Sequence, residues 1–176
     1  METQSAWELI QSHLKQPEYR HVLLNPLPVY GLSLGVVAMV LALILRARAA
    51  HVVALTIVLL SALSTWPTIR YGEEGYDVML SRSDHAGGNW LDAHAQRGKR
   101  AEPAFYVLAV IATAALIVPR KFPKAALPLV LTTFTATLLV LALGIWVAYA
   151  GGQVRHKEFR YGSPSEPAGG YEKMRE

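Results

Sequence analysis

The sequence predicts an all-α fold: an integral membrane four-helix bundle with a short N-terminal amphipathic helix and a partly helical outer loop. Three observations predict it. Four stretches, residues 22–45, 52–67, 104–118 and 125–150, contain no Asp, Glu, Lys or Arg. At ~1.5 Å rise per residue most of them are long enough for a hydrocarbon core of ~30 Å. Each is apolar all the way round, so it demands lipid or other helices on every side. The composition, 52% hydrophobic and 17% charged, suits a membrane protein better than a soluble domain.

The elements follow in order. Residues 1–20 are expected to hold an amphipathic helix lying on the membrane surface. There Ser5-Ala6-Trp7-Glu8 has capping-box form, and Trp7, Ile10 and Leu14 recur at helical spacing. The membrane domain is assigned to residues 21–162. Pro26 and Pro28 suit the first turn of its first span, with Asn25 as N-cap. Pro67 is expected to close the second span, Pro119 and Pro123 to bracket a tight turn, and Pro128 to lie in the first turn of the fourth. Between spans two and three runs an outer loop, residues 68–103. In it a Ser, Asp and Gly-rich turn through Gly88 precedes a helix capped by Asn89, on which Trp90 and His94 share a face. The third span lengthens backward if residues 90–102 are helical and Pro103 only kinks the helix. Residues 163–176, rich in Gly and Pro, read as a flexible tail or a strap that docks onto a partner.

Arg46-Ala47-Arg48 and the segment 120–124 hold five basic residues and no acidic one, which marks the cytoplasmic end. Both termini and the long connection then face outward, as in a multi-pass protein of a bacterial inner membrane. The first span has no cleavage site after it and is expected to be retained. Zero cysteines exclude thiol redox chemistry, disulfides and thiolate metal sites. The net charge of +4 is largely membrane-flanking Lys and Arg, and no basic stripe interleaved with aromatics suggests nucleic acid. Spans without an ionisable group argue against an ion-coupled exporter. Thr132, Thr133, Thr135, Thr137, Ser61, Ser64 and Thr65 are read as helix-packing hydroxyls, with Gly31, Gly35 and Gly144 alongside them.

Five of the six histidines fall at the outer end; only His51 lies at the other. His21 precedes the first span, His94 the third, and His156 follows the fourth, so all three are expected to meet at one mouth of the bundle. Two axial imidazoles from separate helices would hold a low-spin haem b. Leu24, Val154, Tyr30, Tyr106, Trp146 and Tyr149 are candidates for its slot, beside Trp90. Arg20, Arg97 and Arg155 are candidate partners for its propionates. The alternative is zinc, held by the three histidines with Asp92, Glu73 or Glu74. Interfacial histidines that only sit among head groups are the plainest reading.

Three segments carry a resemblance. They are the run from His21 to Pro28 (HVLLNPLP), Trp90-Leu91-Asp92-Ala93-His94, and Gly151-Gly152-Gln153-Val154-Arg155-His156. Together they resemble a widespread family of four-helix bacterial membrane proteins of unknown function, whose segments look like H-P-x-L-V-H-F-P, a helix-borne His and G-G-x-L-V-x-x-H-G. The resemblance implies histidines gathered on one side of the bundle and a suspected haem b or redox role. The chain departs from the pattern at Asn25, often a second histidine, and at Lys157, usually glycine.

The expected function is therefore that of an electron carrier or complex subunit, not a stand-alone enzyme. It would be a cytochrome b-like protein of a respiratory chain, passing electrons between quinol and a periplasmic c-type cytochrome. A cofactor-free accessory subunit of a larger membrane complex is the alternative, and a zinc-dependent membrane protein the third.

Overall fold

The computed structural model describes residues 5–175; the remaining residues of the N-terminal stretch and of the tail lie outside them. The described residues are helical with no strand. They form α1 (Ala6–Leu14), α2 (Pro17–Leu24), α3 (Pro26–Leu45), α4 (Arg48–Leu63), α5 (Thr65–Ser81), α6 (His85–Ile117), α7 (Ala126–Arg155) and α8 (Gly170–Arg175). Four continuous rods result, Pro17–Leu45, Arg48–Ser81, His85–Arg120 and Pro123–Arg155, each long and apolar enough to cross a membrane.

The capping box at the N-terminus forms as expected. Glu8 N–H donates to Ser5 Oγ at 3.3 Å, and Ser5 N–H to Glu8 Oε2 at 2.8 Å. Trp7, Ile10 and Leu14 on α1 are all exposed.

Two prolines act as hinges. Asn25 does not cap by its side chain; its backbone stays helical and its N–H bonds the His21 carbonyl at 2.8 Å. A further helix, α2, thus runs into the first rod from Pro17, and α3 restarts where Pro26 withholds its N–H. Pro67 likewise does not end the second rod. It falls in the first turn of α5, where an N–H has no intrahelical partner to lose, and the helix continues to Ser81. Pro103 lies inside α6, as the backward extension of the third span requires.

The segment 68–103 is consequently not a loop. It is the ends of two rods, joined at residues 82–84. Asp84, not Asn89, caps α6, accepting from Gly87 N–H at 2.7 Å. The Gly-rich turn expected through Gly88 is already helix. At the opposite end Arg46 stops α3 by adopting a left-handed φ of 53°, its N–H returning to the Ala42 carbonyl.

Packing is by small residues. Gly31 and Gly35 of α3 face Ser61 and Val58 of α4, where a Cβ on Gly35 would stand 2.8 Å from Val58 Cγ2. The pair therefore closes a contact within the chain. Thr133 and Thr137 are fully buried and donate to carbonyls one turn earlier, each at 2.7 Å, while Thr132 and Thr135 are exposed. Large apolar side chains such as Leu34, Ile44, Val110 and Leu139 point outward. That arrangement is the one expected of helices whose surroundings are as apolar as their own surface.

Rod one packs on rod two along its length, α2 on α5 and α3 on α4, and α6 packs on α7. One apolar cluster, with Leu32, Val58 and Leu108, fills the middle of the bundle. A second, with Tyr76, Trp90, Ala150 and Tyr171, fills the end where α5 and α6 meet. The tail beyond residue 162 is a strap, and it docks on its own chain. Tyr171 is 2% exposed, and its N–H donates to Asp92 Oδ1 at 2.7 Å.

Candidate functional site

Between the two clusters lies a cavity of about 110 Å³, open in part to the outside. Its walls come from all four rods and from Tyr171, and they are mainly apolar or small, including Val29, Ile69, Ala101 and Phe105. Two imidazoles face into it, His21 from α2 and His94 from α6.

Each ring is seated in the same way. His21 Nδ1 stands 2.7 Å from the Thr68 carbonyl on α5, and one turn later Gly72 lies against the ring. A Cβ on Gly72 would come within 2.8 Å of Nδ1. His94 Nδ1 stands 3.0 Å from the Val147 carbonyl on α7, and one turn later Gly151 lies against that ring, its Cβ position 3.0 Å from Nδ1. The two halves of the bundle thus repeat one device: a histidine on one helix, with a carbonyl and a glycine on its neighbour. A carbonyl oxygen only accepts, so Nδ1 carries the hydrogen and the neutral ring keeps a lone pair at Nε2. The ring centroids are 5.9 Å apart and the planes are inclined at 75°.

The structure brings two of the three expected histidines together. His156 ends α7 on the surface, its Nδ1 3.0 Å from Glu158 Oε1 and its ring against Phe159. It does not line the cavity. The physical reason is helix periodicity: α7 presents Gly144, Val147 and Ala148 to the cavity, and position 156 lies nine residues, about two and a half turns, beyond Val147, on the opposite face.

The expected slot residues are elsewhere too. Tyr106 donates to Glu102 at 2.6 Å, and Tyr30 and Tyr149 are exposed. Leu24, Val154 and Trp146 also lie outside the cavity wall. Trp90 is a packing residue, 6% exposed and edge-on to Tyr149.

Of the arginines, Arg97 is buried in a two-pronged pair with Glu166 of the strap, at 2.8 and 3.0 Å, and donates a third bond to the Trp146 carbonyl. Arg155 reaches Met79 Sδ on the surface, and Arg20 bonds the Leu14 carbonyl and lies over the Tyr71 ring.

The carboxylates proposed for zinc are also engaged. Glu73 pairs with Lys99, Glu74 with Arg70 at 2.9 Å, and Asp92 receives Tyr171 N–H. Among the described residues no group of three or more His, Asp or Glu side chains is disposed to hold a metal ion.

Sequence reasoning assigned no role to Gly72, Gly151 or Lys99. A glycine inside a helix costs stability relative to alanine, and that cost was the available sign of a close approach at the two seats.

Fold and site define a class: a bundle of four helices of membrane-spanning length with a paired imidazole site at one end. The chain matches no family of known proteins, no characterised protein and no solved structure. No family match supports the resemblance of its three segments to the four-helix family.

Proposed function

We propose that the chain is a multi-pass membrane protein that holds one haem b between His21 and His94 and serves in electron transfer. The observation that carries the reading is the paired seat: two part-buried imidazoles from different helices, each with Nδ1 committed to a backbone carbonyl. Histidine ligands of metals almost always engage their other ring nitrogen in this way, which fixes the ring and leaves Nε2 free to ligate. The two ring centroids are 5.9 Å apart, which supports both imidazoles serving one bound group.

The surroundings fit a flat, apolar group. Gly98, where a Cβ would meet nothing within 4 Å, and the alanines at 95, 101 and 148 leave space where larger side chains would fill it. When held by His21 and His94, haem would supply one-electron chemistry. The residues of the chain fix ring orientation, keep Nε2 unprotonated and exclude bulk water with an apolar wall. The short basic connections at 46–48 and 120–124 support an orientation that puts this end of the bundle outside the cytoplasm. Quinol and a periplasmic c-type cytochrome are then the donor and acceptor classes within reach.

The test is a reduced-minus-oxidised spectrum of protein made with ample haem and purified in mild detergent. A sharp b-type band, lost in both His21→Ala and His94→Ala and retained in His156→Ala, is the expected result. A colourless, fully helical protein would overturn the reading and favour the accessory-subunit alternative.

A further inference from the structure

Among the described residues, the cavity wall carries a single lysine and no arginine. Lys99, on α6, pairs with Glu73 of α5, and both side chains line the cavity. They are 31% and 27% exposed, so the pair stands at the mouth where the apolar interior meets the outside. It also stands beside both imidazole seats. Glu73 directly follows Gly72, which seats His21, and Lys99 lies ~7.5 Å along the helix axis from His94 at 1.5 Å per residue. The other lining carboxylate, Glu18, has its own cation in Arg82, 3.5 Å away and outside the cavity wall.

Charge at the mouth is thus balanced within the chain, and Glu73 occupies the one lysine that faces the interior. A carboxylate on a ligand can take the place of Glu73 without leaving any buried charge alone, because Glu73 is near enough to the outside to be solvated. Lys99 has the chemistry for such an exchange, a flexible stem with three donors that can follow the incoming group. Gly98 beside it adds room, since a Cβ there would meet nothing within 4 Å. None of the arginines named from sequence lines the cavity: Arg97 is paired with Glu166, and Arg155 and Arg20 rest on the wall residues Met79 and Tyr71 from outside.

We propose that Lys99 is the carboxylate-recognising residue of the site, pairing with a haem propionate at the mouth of the cavity while the ring lies between the histidines. The site then selects planar, metal-bearing ligands with free acid groups. This rests on the haem reading, and the experiment separates the two.

Apo-protein in detergent is titrated with haem and, separately, with haem dimethyl ester, whose acid groups are blocked, and binding is read from the Soret band. Wild type is expected to bind haem about 10-fold more tightly than the ester, the effect of one partly exposed charge-assisted bond. Lys99→Ala is expected to bind haem as weakly as it binds the ester, with ester affinity unchanged. Lys99→Arg should keep the preference, and Glu73→Gln should raise haem affinity by freeing the lysine. Equal affinity of wild type for both ligands, or a preference that survives in Lys99→Ala with unchanged helical content, overturns the proposal while leaving the haem reading intact. Wild type that binds neither ligand overturns both.

Discussion

Removing Glu166 should release the C-terminal strap. Arg97 and Glu166 are only 6% and 5% exposed, joined by bonds of 2.8 and 3.0 Å, and the guanidinium lies 4.8 Å over the Trp146 ring. Truncating one partner of such a pair while the strap stays in place strands a buried charge, at a cost of about 3–5 kcal/mol. The chain has a cheaper course, which is to let the strap lift so that water reaches Arg97. What then resists lifting is chiefly Tyr171, whose burial contributes about 2 kcal/mol, and its N–H bond to Asp92 Oδ1 at 2.7 Å, worth ~1.5–3 kcal/mol.

Glu166→Ala should therefore lower the free energy of strap opening by about 3 kcal/mol, which is about 100-fold in the open population. Limited trypsin digestion in detergent reads this directly. While the strap recloses faster than it is cut, cleavage after Lys173, within α8 of the strap, follows the open population and should accelerate by a similar factor. The double variant Arg97→Met/Glu166→Met, which removes both charges and keeps the volume, should be cut much more slowly than Glu166→Ala. Cleavage of Glu166→Ala at the wild-type rate, or a double variant just as labile, would refute the reasoning.

Two further outcomes follow from local geometry. Gly151→Ala should push the His94 ring off the Val147 carbonyl and weaken haem binding about 10-fold or more, the usual cost of losing an outer partner of a ligand. Gly152→Ala, whose Cβ meets nothing within 4 Å, is the control that should bind normally in the same Soret titration. The second concerns pH. Lys157, the Gly87 N–H and Arg160 hold the Asp84 carboxyl well below its ordinary value of 3.8. A depressed folded-state value means the contribution is complete above the ordinary carboxylate range and is lost as pH falls below it. The melting temperature of wild type should fall more between pH 6 and pH 3 than that of Asp84→Asn, which retains a capping side chain but has no charge to lose. Equal falls would remove Asp84 from the account.

Much of the fold is legible along the chain because its causes are local. Apolar runs, the Ser5–Glu8 capping box and the tolerated Pro103 each depend on residues within a turn or two of one another. The segment 68–103 is read as a loop for an equally local reason. Its glycines and acidic residues, Gly72-Glu73-Glu74-Gly75, carry turn and solvent character, and their role is to receive the neighbouring helix. Gly75 lies against the backbone of Glu18, and Gly72 against His21. Once α2 packs there, the backbone that looked exposed is covered, and the helix persists to Ser81.

The sequence by itself determined that four helices with uncharged apolar stretches would form and that small residues such as Gly31, Gly35, Thr133 and Thr137 would serve packing, although Thr132 and Thr135 proved exposed. Only the tertiary structure decided which histidines meet. His21 and His94 are brought to 5.9 Å because α2 lies on α5 and α6 on α7, each ring aimed by a carbonyl on the neighbouring helix. His156 is left out because it falls on the face of α7 opposite Val147, which lines the cavity. Arg97 looked available for a ligand until the strap folded back and delivered Glu166 to it, which left the cavity to Lys99. Helix formation is written in neighbours along the chain, whereas a site is set by the rotation and register of helices against one another, and those are fixed by packing between residues far apart in sequence.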